Sequence, residues 1–439
     1  MKKVRTAALV FAVCLCLTLS GCDLFTVETE MLMSPPELSG NMQPISKALS
    51  DSVKGEYQLK YPSSGEKRSA IVLEDVDGDG TAEAFAFYST SNDEMTNMHI
   101  NAICAKDDGY ISVGEQSIVA GGVERVDFYD IDGDGAKEII VGWEVYGLSE
   151  KQLCVYDLTG DTLAQRLSEK YTAYLCCDLS GNGKYELLIQ MLNTSDALNT
   201  ADLYRFTKTG QRKIGSCLLD GAAKTVSDPV FSTLSNGKPA VYIDEIKGAG
   251  AVTEVIYFAN EQLKNPLTVS AENTATLRAA AIQCRDIDGD GTLEIPAASP
   301  LPNAAGTDEA LYYTNWCAFD GIDLTAKVTT VVNTVDGYYL TVPEKLVGKI
   351  AVLKDIDNHR RVFYNYDAET GTVGMRIATL AVFSASDWDS DESVRAGMFE
   401  LARSGKNVFA GAVNMISGVG IGEEQLREMF NLDKNEVKR

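Results

Sequence analysis

The stretch Asp75–Glu83 reads DVDGDGTAE. It returns as DIDGDGAKE at Asp130–Glu138, as DIDGDGTLE at Asp286–Glu294, and in weaker form as DLSGNGKYE at Asp178–Glu186. The starts are 55, 48 and then 108 residues apart. The last gap is about twice the others, so a further copy is expected near residue 232. TLSNGKPAVYI at Thr233–Ile243 fills that place: it keeps Leu, Ser, Asn-Gly-Lys and the apolar run, and has lost a residue and its acids. Starts at 75, 130, 178, 233 and 286 give a period of about 53 residues, the scale of one supersecondary unit in a repeat protein.

A second feature keeps the same period. About 30 residues after each start comes a turn inside a strand-like pair: CAKDDGYI around Gly109, VYDLTGDTL around Gly160, YRFTKTGQRK around Gly210, YFANEQL around Asn260 and CAFDGIDL around Gly321. Gly and Asn supply the positive φ that hairpin turns require. Each unit therefore holds an apolar strand, the acidic loop, a second apolar strand (EAFAFY, EIIVGW, ELLIQM) and a hairpin. About four strands per unit fits a β-propeller blade. A β-sandwich is the alternative, but it does not predict one loop recurring at blade spacing.

The loop's chemistry follows from its spacing. Asp75, Asp77 and Asp79 alternate, and Gly78 and Gly80 permit the tight backbone that brings them together. Converging carboxylates repel unless a cation sits between them. An all-oxygen set without His or Cys suits Ca²⁺. The candidate ligands are Asp75, Asp77, Asp79, the Thr81 carbonyl and Glu83 in the first loop. The second offers Asp130, Asp132, Asp134, the Ala136 carbonyl and Glu138, and the last Asp286, Asp288, Asp290, the Thr292 carbonyl and Glu294. The copy with Asp178, Ser180, Asn182 and Glu186 has two carboxylates and is a weak candidate. An EF-hand is excluded, because its twelfth position needs Glu where Ala86, Val141 and Ala297 stand, and because the flanks are β-rich. The alternative without metal is a set of Asp/Gly turns.

The loop, its β flanks and its period resemble the FG-GAP/VCBS repeat family, to which the propellers of integrin α-subunits are related. The resemblance covers roughly residues 60–330 and implies a propeller whose Dx(D/N)xDGxx(D/E) loops bind Ca²⁺ between strands of one blade. Five repeats are recognisable where integrins have seven, and clear Phe-Gly and Gly-Ala-Pro halves are lacking, so blade number stays open.

The remaining organisation is read outward from this body. Residues 1–21 resemble a bacterial lipoprotein signal: Lys2, Lys3 and Arg5, an apolar Ala7–Leu19, then Leu-Ser-Gly-Cys ending at Cys22. The resemblance implies cleavage before Cys22, a lipid on that residue and an anchor on the extracytoplasmic face of a bacterial cell membrane. Residues 22–50 are expected to be a tether, with ISKALSDSVKG forming a short helix through Ile45, Leu49 and Val53. The propeller is expected over 51–335 and a small α+β module, or a divergent closing blade with added helices, over 336–439. Strands are expected in GKIAVLK, RRVFYNYD and MRIATLAVFS, and helices in SDESVRAGMFELARSG and GEEQLREMF. DIDNHRRVF at Asp355 echoes the loop but lacks its third Asp and both glycines.

A formal net charge of −24 with no Lys/Arg-rich block argues against a nucleic-acid partner. After Cys22, seven cysteines remain without CxxC spacing, which gives no zinc or redox motif; they read as small buried hydrophobes, with one or two disulfides left open. No P-loop, Rossmann fingerprint or G-x-S-x-G occurs, and the two histidines, His99 and His359, adjoin no nucleophile motif. Trp143, Trp316 and the tyrosines can form core or a sugar- or peptide-binding face. The expectation is a binding or scaffold protein for a protein or glycan partner. The alternative is a glycan-directed enzyme using paired carboxylates, which a deep pocket with two acids about 5–10 Å apart would favour.

Overall fold

The computed structural model describes residues 42–90, 97–107, 109–145, 151–193, 198–279, 282–395, 397–414 and 420–433. Cys22 and most of the tether lie outside them. Six antiparallel sheets follow one another along the chain. The first is built on Ile71–Glu74, Glu83–Thr90, Asn97–Lys106 and Gly109–Val119, with Tyr57–Leu59 sharing the edge of Glu83–Thr90. The second uses Gly122–Tyr129, Glu138–Glu144, Lys151–Thr159 and Thr162–Tyr171, and the third Ala173–Cys177, Glu186–Met191, Thr200–Thr207 and Gly210–Leu218. The fourth centres on Val230–Thr233, Pro239–Lys247, Gly250–Ala259 and Gln262–Lys264.

The second strands are continuous apolar runs because both of their faces are covered. Alternate residues go to opposite neighbours. Phe85 and Phe87 pack with Ile139, Val141 and Trp143 of the next sheet, while Ile140 turns to Leu187 and Ile189 of the third. Leu188 meets Val241 and Ile243 of the fourth, whose Ala240 and Tyr242 turn to Ile295 and Phe319 of the fifth. The result is a propeller-like stack, each sheet face to face with the one before.

The chain after residue 335 does not stand apart. Tyr338–Thr341 and Phe430–Leu432 extend the fifth sheet, Ile295–Leu301, Leu311–Phe319 and Leu324–Asn333. Ile350–Asp355, Arg360–Asp367, Thr372–Ser384 and Asn407–Val413 make a sixth, with Phe399–Ser404 at its edge. One core joins the two sheets, through Leu301, Tyr313, Val331, Val352, Phe363 and Leu380 among others. The stretch expected as an α+β module thus forms a sixth antiparallel sheet with short helices, in which Asn407–Val413 lies between Thr372–Ser384 and Phe399–Ser404. The single helix expected over 390–405 is not formed. Short helices span Ala385–Ser390 and Glu392–Arg395, Gly397 sits at φ +73, and Phe399–Ser404 is a strand that turns at Gly405 onto Asn407–Val413. Val394, Met398 and Leu401, which a single helix would place on one face, lie on either side of that break. The helices at Gln43–Ser52 and Glu423–Met429 form as expected.

Both ends of the stack are covered by helix. Ile45, Ala48 and Leu49 lie on Ala84, Ala86 and Tyr88, the face of the first sheet turned away from the second. Trp388 lies on Val408 and Ala410 of the sixth. Among the described residues, no hydrogen bond, ion pair, ring contact or shared core cluster joins the sixth sheet to the first, and no helix is long and apolar enough to cross a membrane.

Candidate metal centres

The acidic loops occupy one topological place. Each connects the first and second strands of its sheet in the first, second and third sheets; in the fifth, the first strand is reduced to an isolated pairing of Arg285 with Glu294. The worn copy and the Asp355 echo hold the same place in the fourth and sixth sheets. Neighbouring loops touch: Lys137 N donates to the Val76 carbonyl at 2.7 Å.

All three full copies curl the same way. Asp75 Oδ1 accepts Gly78 N–H at 2.8 Å and its Oδ2 accepts Gly80 N–H at 3.0 Å. Asp77 and Asp79 each accept the amide two residues on. Glu83 reaches back from the second strand to Val76 N–H at 3.0 Å. Asp130 with Glu138, and Asp286 with Glu294, repeat the pattern. The two glycines are required by conformation, not space. Gly78 and Gly80 stand at φ +75 and +89, with open space where a Cβ would project; other residues enter that backbone region at a cost.

This curl brings carboxylates together. One oxygen each from Asp75, Asp77 and Glu83 lie within 4.8 Å of one another, as do those of Asp130, Asp132 and Glu138, and of Asp286, Asp288 and Asp290. Such a group can hold a metal ion. Burial pushes the Glu83 and Glu294 carboxyls up, and the neighbouring aspartates add to it. Burial likewise pushes Glu138 up to about 7. A bound cation reverses that direction.

The loops differ in what already compensates them, and sequence reasoning missed this. In the second, Arg166 Nη1 lies 2.8 Å from Asp132 Oδ2 and 3.3 Å from Glu138 Oε1. In the weak copy, Arg205 Nη2 lies 2.8 Å from Glu186 Oε1, which also accepts Ser180 Oγ–H at 2.5 Å. No ion pair of the described residues reaches the acids of the first or last loop. Those two sets fit a divalent cation of hard-oxygen preference; the second fits one in competition with Arg166. At 178 the guanidinium stands where a cation would.

Other candidates resolve differently. His99 lies in the strand Asn97–Lys106, stacked on Tyr88 at 4.9 Å and paired with Glu115. His359 pairs with Asp336. Trp143 and Trp316 are fully buried, so neither belongs to a binding face. The seven cysteines are free thiols.

A polar cleft of about 330 Å³ is lined by Ser64, Glu66, Glu124, Arg125, Asp127 and Asp228 among others. The first, second and fourth sheets supply these residues, so the cleft lies on the inner side of the curving stack. Its best-placed acids are committed. Against burial, hydrogen bonds from Ser64, Tyr171 and Lys151 hold Glu124 below the usual carboxylate range. Asp127 is taken by Arg125 and Tyr174. The fourth sheet buries a further acidic group, Asp220, Asp244, Glu245 and Glu254. Lys247 meets Asp220 at 2.9 Å and Arg278 meets Asp244 at 2.5 Å.

No protein-family model matches this chain, and no curated protein matches it. Among solved structures it is similar to a Bacillus licheniformis rhamnogalacturonan lyase, with 12% identity, TM-score 0.32, and coverage of 72% of this chain and 69% of that one. It is similar to a periplasmic gluconolactonase of Pseudomonas aeruginosa at 13% identity, TM-score 0.28, and 72% and 86% coverage. The Dos1 propeller aligns at 8% identity, TM-score 0.27, and 82% of each chain. Likenesses this remote carry no argument about activity.

Proposed function

We propose that this chain is a lipid-anchored extracytoplasmic protein whose propeller-like stack is clasped by Ca²⁺ and holds a protein or glycan partner on its loops. One observation carries the reading. The acidic loops of the first and fifth sheets gather carboxylates within 4.8 Å that no ion pair of the described residues reaches, while the loop at 178 has Arg205 in that position. Asp75, Asp77, Asp79 and Glu83, with the Thr81 carbonyl, hold one ion. Asp286, Asp288, Asp290 and Glu294, with the Thr292 carbonyl, hold another. Asp130, Asp132, Asp134, Glu138 and the Ala136 carbonyl hold a third, more weakly because Arg166 competes. The role of the ion is structural: it neutralises the converging carboxylates and fixes the loop joining two strands.

Binding is favoured over hydrolysis because Glu124 and Asp127, two of the four acids lining the inner cleft, are already used in hydrogen bonds and ion pairs and so do not serve as free acid and base. Affinity capture from native bacterial envelope fractions tests this. A specific partner retained with calcium and released by EDTA is expected; no retained partner, or turnover of an envelope glycan by the purified chain, overturns it. The anchor is tested separately. Cys22→Ala is expected to move the protein from the membrane to the soluble fraction, and retention in the membrane contradicts lipidation.

A further inference from the structure

We propose that the seam between the fifth and sixth sheets binds a small organic carboxylate, with Arg361 meeting the anion. A cavity of about 210 Å³ lies there. At about 30 Å³ per water it has room for roughly seven waters, or one small organic molecule. Its floor is apolar, from Leu301, Tyr313, Val331 and Val352, which continue the core. Its polar end carries Lys354 and Arg361. These stand directly opposite one another on paired antiparallel strands, so they share the sheet face that packs on the fifth sheet through Val352 and Phe363.

Arg361 is the group the fold leaves unexplained. It is 7% exposed. Its Nη2 donates to Asn333 Oδ1 at 3.3 Å and its Nη1 to the Arg360 carbonyl at 3.2 Å, both neutral oxygens. The nearest relay to a carboxylate is already used, since Asp336 accepts from Asn333 at 2.7 Å and from His359 at 2.6 Å. The other deeply buried arginines are not left so: Arg278 has Asp244, and Arg166 has Asp132 and Glu138. A guanidinium cannot shed its proton, and a buried cation without a counter-charge is costly.

The surroundings point to an anion from outside the chain. In a protein of net charge −24, the described residues lining this cavity include Arg278, Lys354 and Arg361 and one acid, Glu309; with Arg278 paired to Asp244, Arg361 is the cation left without a carboxylate. Glu309 is spent on Lys354 at 2.9 Å. A carboxylate would take the unused guanidinium N–H groups in a fork geometry. An apolar or ring-shaped body would lie on Tyr313 and Val331, which a bare inorganic anion cannot use.

The test titrates the purified full chain with benzoate and with glucuronate by ligand-observed NMR, with benzamide and glucose as neutral controls. At least one carboxylate is expected to bind saturably and its neutral control not at all. Arg361→Gln is expected to weaken that binding about tenfold or more, the scale of a lost charge-assisted hydrogen bond. Lys354→Met is expected to weaken it as well, and decides the matter if Arg361→Gln does not fold. The proposal is overturned if neither carboxylate binds, if the neutral controls bind equally, or if the variants that fold bind as the parent does.

Discussion

Glu245 shows how one residue can work against the fold it belongs to. It is fully buried in the second strand of the fourth sheet; Oε1 accepts from Gln190 Nε2 at 2.7 Å, and Oε2 has no partner. Burial, with Glu254 and Asp220 close by, pushes its carboxyl well above the ordinary value. The folded state therefore keeps its proton where the unfolded chain has lost it. The stability this contributes is present below the usual carboxylate range and is lost as pH rises through the raised folded value. Glu245→Gln is expected to raise the melting temperature by several degrees at pH 8 and to change little at pH 4. Equal effects at the two pH values would show that the charge is not the cause. Nothing local in AVYIDEIK announces this, because the partner Gln190 is 55 residues away.

At the scale of elements, what was legible depended on distance along the chain. The acidic loop is complete within nine residues. Its aspartates, its two left-handed glycines and its closing Glu all read directly, and so do the apolar strands on either side. Arg166 and Arg205 did not, because they lie 28 and 19 residues from the glutamates they meet, and only the strand register sets them there. The same limit produced the misread helix, where Gly397 separates a short helix from an edge strand that pairs only in three dimensions. The arginine substitution for a cation can be tested. Arg205→Met leaves Glu186, which is 0% exposed, without a counter-charge, at a cost of roughly 3 kcal/mol less the screening that water gives a side chain 29% exposed. Urea unfolding should show that loss and should show most of it restored in Arg205→Met with Glu186→Gln. A single variant as stable as the parent would mean that Arg205 is not the loop's cation.

For the whole molecule, the period in the sequence carried the order of the sheets but not their number or their ends. The sixth sheet has a degenerate loop at Asp355, and helices, not a further sheet, cover the outward faces of the first and last. A consecutive stack takes its stability from each unit and from each seam between neighbours. Ions bound as proposed would act on both terms, since they would hold the loops that join first and second strands, and those loops touch, as Lys137 and Val76 do. The most direct measurement is the melting temperature of the purified chain in calcium and in EDTA, for the parent and for Asp75→Asn with Asp286→Asn. A rise of several degrees in calcium, reversed by EDTA and largely lost in the double variant, is predicted. A parent melting temperature unchanged between calcium and EDTA would contradict the calcium clasps.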